Sequence, residues 1–237
     1  MLAIYKKEIH SYFTTPLGYI FLAAALVISA IIFSLSTLLS STADTSGYFQ
    51  LIIYLMVFFL PILTMRAFSE EKRAKTDQLL FTSPVSIFSL ILGKFFAALT
   101  MLAIYISISA INLIPLYIHA GANTPNGAII IGNMLAMVFV GMCFISIGIF
   151  ASSLTENSAA SFLITAAILV VLLVINLLNT FIPFEWLRTV LSWLSIYARF
   201  INFTYGIFDI GAVIYYLSIT FIFLFITERL FQVRRLG

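Results

Sequence analysis

From Leu17 to Leu39 the chain runs for 23 residues without a charged side chain. A bilayer core of ~30 Å needs roughly 20 apolar residues in a helix, because lipid offers the backbone no hydrogen-bond partner. Five further stretches meet that requirement: Tyr48 to Met65, Ser86 to His119, Ala128 to Leu154, Ser158 to Phe181 and Ile210 to Thr227. Only the third contains a charge, Lys94, near its start. The chain is 62% hydrophobic and 9% charged, against ~25% charged in a soluble domain. These runs predict an all-α membrane protein with six transmembrane helices in a single domain over residues 1–237. The first run is longer than the apolar core of a secretory signal and no convincing cleavage site follows, so it reads as a retained span.

Orientation follows from the basic residues. With the N-terminus cytoplasmic, Lys6, Lys7, Arg66, Lys72, Arg73, Lys75, Lys94, Arg229, Arg234 and Arg235 fall inside, and only Arg188 and Arg199 fall outside. Both termini are therefore expected in the cytoplasm. The same placement accounts for the net charge of +3 without invoking nucleic acid. Between spans five and six, Trp186, Trp193, Tyr197 and Tyr205 alternate with charged residues. Residues 182–209 are expected as short helices in or dipping into the outer interface. They either rest there or form an outer gate or docking site.

Intramembrane chemistry has little to work with. His10 and His119 fall at opposite faces, no Asp or Glu lies clearly inside a span, and Cys143 is the single cysteine. Metal-dependent, aspartyl and serine hydrolysis each need groups absent at membrane depth, so no catalytic residue and no metal site is expected. The spans carry neutral polar residues instead, including Asn112, Asn133, Asn176 and Asn179. These either bond between helices or line a path; Asn112, Asn176 and Asn179 are the pathway candidates. Proton coupling needs ionisable groups, and no G-x-x-x-x-G-K-[ST] phosphate loop occurs. Active transport by this chain would draw its energy from another polypeptide.

One short segment concentrates charge. "RAFSEEKRAKTDQLLFTSP", Arg66 to Pro84, lies between spans two and three. Ser69 suits an N-cap, Glu70 and Glu71 suit the first helical turn, and Glu71 and Lys75 suit an i,i+4 pair. Ser83-Pro84 suits the start of the next helix. A helix over 66–83 against the cytoplasmic face is the expectation. A second charged segment, "YKKEIHSYFTTPLGY", precedes span one, and both enter a span through F-T-[ST]-P-[LV]. A short polar loop, "SSLTENSAA", joins spans four and five.

This combination resembles the type-2 ABC transporter permeases, which have the type V exporter fold. It looks most like the compact gliding-motility and nitrous-oxide-reductase-maturation permeases. The specific part is R-x-F-S-E-E-K-R-x-x-T-x-x-L-L-x-[ST]-x-P. The resemblance implies that 66–83 is a coupling helix docking on a separate ATPase. Arg66, Phe68, Glu70, Glu71, Lys72, Arg73 and Leu79 would be its contact residues. Phe68 and Leu79 would supply apolar binding energy, and Thr155, Glu156 and Asn157 a second contact. Residues 1–15 would be an amphipathic elbow helix around Lys6, Lys7 and Glu8, and the outer helices would be re-entrant. The near absence of a loop between spans one and two sets the chain apart from exporters with large outer domains.

The implied function is the permease subunit of an ABC exporter of unread substrate in a bacterial inner membrane. Its partners would be two copies of an ABC ATPase and a second permease, identical or homologous, with an extracytoplasmic accessory protein as a further candidate. ATP and Mg would be bound by the ATPase, and this chain would carry no cofactor. Two rivals stay open: a mechanotransmission subunit driving an envelope partner, and a secondary transporter or channel.

Overall fold

The computed structural model describes residues 1–39, 44–76, 86–119, 125–178 and 184–236. All described regular structure is helical. Helix α1 (Leu2–Thr14) precedes α2 (Pro16–Phe33), which ends in a π-helical turn, Ser34–Leu38. Then follow α3 (Ser46–Thr64), the short α4 (Ser69–Arg73) and α5 (Ile87–Ser109). A 3₁₀ turn, Ala110–Leu113, and a helical stretch, Ile114–His119, prolong α5. The rest comprises α6 (Gly127–Leu154), α7 (Ser158–Leu178), α8 (Glu185–Leu194), α9 (Ile196–Thr204) and α10 (Ile210–Leu236). Six of these stretches are long and apolar enough to cross a membrane. They are the six expected ones, although α10 continues nine residues past Thr227, its charged end "ERLFQVRRL" extending the helix beyond the apolar run.

Helix α6 is the axis of the bundle. It packs against α3, α5, α7 and α10, and its stretch from Cys143 to Ile149 is buried around the whole circumference. Buried on every side there, it has no need of an amphipathic stripe. Helix α2 lies at one edge, against α3 and α5. It leaves Val27, Ile31 and Leu35 exposed, as α7 leaves Leu163 and Val171 and α10 leaves Ile214 and Phe221. Apolar faces of this kind suit lipid or a second membrane protein.

Two glycines let α1 pack where it does. Helix α1 turns into α2 at Thr15, in extended conformation, with Pro16 as the first helical residue. A Cβ on Gly18 would collide with the Tyr12 carbonyl, and one on Gly93 would lie 2.9 Å from Ile4 Cγ2. Inward residues of α1 follow the i,i+4 rhythm Ile4, Glu8, Tyr12, while Lys6, Lys7 and His10 are exposed.

The segment after span two departs from the expected single helix over 66–83. Its described helix is five residues long, with Phe68 rather than Ser69 at the N-cap. It closes in a tight turn: the Ala74 amide donates to the Glu70 carbonyl and the Thr76 amide to that of Glu71. Lys75 there adopts φ +54°. That left-handed residue breaks the helical register, and Glu71 pairs with Lys94 and Lys7 rather than in the expected i,i+4 pair with Lys75. The next described helix begins after Ser86, whose side chain accepts from the Ser89 amide. Leu79, Ser83-Pro84 and Asn179 lie outside the described residues.

At the opposite face, α8 exposes Trp186 and Trp193, whereas α9 buries Ile196, Tyr197, Phe200 and Phe203. Asp209 opens α10: its Oδ1 accepts the Ala212 amide at 3.2 Å and its Oδ2 accepts Asn202 Nδ2 at 3.1 Å. The bond from Asn202 foremost, with the backbone amides and Arg199, holds the Asp209 carboxyl below its ordinary pKa.

Candidate functional site

The segment 66–76 lies on the face of the bundle that carries α1 and the end of α10, and neighbours grip it from three sides. Span four supplies the first grip. Ser152 Oγ accepts the backbone amides of Phe68 at 3.0 Å and Ser69 at 3.1 Å, and donates to the Met65 carbonyl at 3.2 Å. The amides that a helix start leaves unsatisfied are thus capped by a residue more than eighty positions away. Ser69 cannot serve as its own cap because its hydroxyl turns back to the Met65 carbonyl and to Ser158 Oγ. Lys72, 7% exposed, donates to the Ser153 carbonyl. A cation placed at the C-terminal end of α6 complements that helix's dipole.

Span six supplies the second grip. Phe68 is 2% exposed and its ring lies 4.7 Å from that of Phe231. Phe68, one of the two apolar residues expected to bind a partner, is therefore packed inside this chain.

Span three supplies the third. Lys94 is 4% exposed, with its Nζ 2.8 Å from Glu8 Oε1 and 2.8 Å from Glu71 Oε1. The same ammonium lies 5.0 Å from the Phe68 ring centroid, and Lys7 reaches Glu71 at 4.0 Å. Separating a buried cation from its carboxylates leaves an uncompensated charge in a low dielectric, so this junction resists opening. The neighbouring Tyr12 hydroxyl donates to the Leu63 carbonyl at 3.2 Å. Burial first, and Glu8 second, raise its pKa above the ordinary tyrosine value, which keeps the hydroxyl protonated as a donor.

The remaining charges face outward. Arg66 Nε pairs with Glu70 Oε1 at 3.1 Å, at 47% and 54% exposure, and Arg73, Ala74, Lys75 and Thr76 are exposed. Of the expected contact residues, Arg66, Glu70 and Arg73 are on the surface; Phe68, Glu71 and Lys72 are engaged within the bundle. In the second loop, Asn157 Oδ1 accepts the Ala159 amide at 2.9 Å, Thr155 Oγ1 donates to the Asn157 carbonyl at 3.2 Å, and Glu156 is exposed. In the elbow, Lys6 and Lys7 are exposed while Glu8 points to Lys94. Elsewhere in the spans, Asn112 Nδ2 donates to Ser29 Oγ at 3.4 Å, a tie between spans three and one, and Asn176 is half-buried.

Sequence reading used Lys94 only to fix orientation and passed over Ser152, Ser153 and Ser158. The signal for Lys94 was present: it is the one charge in an apolar run, and such residues mark function or a buried partner. The serines carried no signal, being ordinary small polar residues at helix ends until the fold sets them against 66–76.

A six-span helical bundle with a charged segment braced at one face defines a multi-pass membrane protein. Residues 45–234 match the family described as ABC-2 family transporter protein, and the chain belongs to that family. It is a permease-type membrane component, of a family that normally lacks catalytic ATPase motifs and partners an ABC ATPase in the membrane. No curated protein matches the chain.

Proposed function

We propose that this permease belongs to an ATP-driven exporter and that residues 66–76 form the lever through which a separate ATPase moves it. The observation that carries the reading is the division of that segment into two edges. One edge, with Phe68, Ser69, Glu71 and Lys72, is bonded to spans three, four and six. The other, with Arg66, Glu70 and Arg73, presents mixed charge to water. A contact of mixed charge steers and registers a partner, and the bonded edge passes displacement into the spans.

On this reading the face carrying α1 is cytoplasmic, in agreement with its excess of Lys and Arg. Two permeases work with two ATPase copies, which bind ATP and Mg. ATP-driven closure of the ATPases draws the two coupling segments together, and each segment carries its braced spans with it. Glu156 in the adjacent loop forms the second contact. The short connection between spans one and two, with α2's π-helical turn ending at Leu38 and α3 starting at Ser46, favours the compact subgroup over exporters with large outer domains.

The test reverses the outward charges, Glu70→Lys together with Arg73→Glu, and leaves Glu71 alone because its loss would open the buried junction. Loss of ATPase from the co-purified complex, with insertion and thermal stability retained, is the expected result. Full recovery of ATPase with full ATP turnover overturns the assignment.

A further inference from the structure

Lys94 joins elements that belong to different parts of the chain: Glu8 on α1, Glu71 on α4, and its own helix α5. Helix α1 runs directly into span one through Thr15 and Pro16, whereas α4 follows span two. Helix α1 is also seated at its two ends, by Ile4 against Gly93 and by Tyr12 on the Leu63 carbonyl. Those seats fix it to spans three and two. Among the described residues, the charged contacts linking α1 to α4 all run through Glu71, one by way of Lys94 and one from Lys7.

We propose that Lys94 is a positioning residue that locks α1 and α4 into one lever, giving a partner's push on the coupling segment a second route, through α1 into span one. The proposal rests on the coupling reading above and adds the path by which the motion spreads. Its physical basis is the asymmetry of a buried bridge: the pair gains little by forming, yet losing one partner strands the others. The α1–α4 distance is therefore held over a range of motion that a solvated pair would not resist. Glu8 and Glu71 share one ammonium, so weakening either arm alters the field at the other.

The first test uses the full chain alone in lipid nanodiscs, so that it succeeds or fails independently of where an ATPase docks. Amide hydrogen exchange is followed in residues 2–14, 69–76 and 136–150. Glu8→Gln, a change on α1, is expected to raise exchange several-fold in 69–76; Glu71→Gln is expected to do so in 2–14. Exchange in 136–150 stays at the wild-type level. Effects confined to the mutated element, or a rise that includes 136–150, overturn the proposal.

The second test places spin labels at Lys6→Cys and Ala74→Cys in a Cys143→Ala background, in complex with the ATPase. On adding a non-hydrolysable ATP analogue, the wild-type distance stays constant, whereas in Lys94→Met it shifts and broadens. A distance that changes equally in both, or in neither, shows that Lys94 does not couple the two helices.

Discussion

Ser152 and Ser69 stand more than eighty residues apart, yet the Ser152 hydroxyl accepts the Ser69 amide at 3.1 Å. The start of segment 66–76 is thus capped from another span, and α4 has no side-chain cap of its own. Ser152→Ala leaves the buried Phe68 and Ser69 amides without their acceptor. Each unsatisfied buried donor costs about 1–3 kcal/mol, so the variant should lose several degrees of thermal stability in detergent. An unchanged melting temperature would show that the segment is held by other means.

Lys94→Met should be the more damaging single change. It removes the one cation between Glu8 and Glu71, and breaking a buried ion pair from one side costs about 3–5 kcal/mol. Adding Glu8→Gln and Glu71→Gln to Lys94→Met removes the stranded charges and should recover part of the loss. Denaturant titration of wild type, Lys94→Met, Glu8→Gln/Glu71→Gln and the triple variant measures both effects, and additive losses would contradict a shared junction.

Lys75 adopts φ +54° at the end of α4, a position where a side chain costs about 1 kcal/mol and glycine does not. Lys75→Gly should therefore stabilise the segment by up to about 1 kcal/mol, reduced by the greater freedom glycine has when unfolded. Lys75→Val should destabilise it. Thermal melts of the pair check the sign, and equal melting temperatures would show the turn to be unstrained.

Asp209 gives the chain a defined acid response. Its carboxyl titrates below the ordinary value in the folded state, so its contribution is fully present above the unfolded pKa of about 3.9 and is lost as pH falls through the folded value. The stability difference between wild type and Asp209→Asn should be constant from neutral pH down to about 5 and shrink below about 4. A difference that peaks in acid would reverse the sign of this linkage.

The six spans were legible because each apolar run is long enough to satisfy lipid on its own, which makes spans a local property. The two short helices before Asp209 were legible for a similar reason, from their spaced aromatic and charged residues. The brace around 66–76 was not. Lys94 lies 86 residues from Glu8 and 23 from Glu71, and no period in the sequence pairs them. Helix continuity was misread at the same place: propensity and capping rules predicted one helix over 66–83, whereas the described helix runs Ser69–Arg73, starts on the Ser152 hydroxyl, and is followed by the left-handed Lys75. Burial then divided Glu70 from Glu71, which look equivalent in sequence.

The most direct test of the coupling account is a photo-crosslinking residue at the exposed Ala74, in the chain expressed with its ATPase. A second chain carries the same residue at Trp186 on the opposite face. The account predicts a covalent adduct with the ATPase from position 74 and none from 186. An adduct from 186, or none from 74 while the complex still co-purifies, would contradict it.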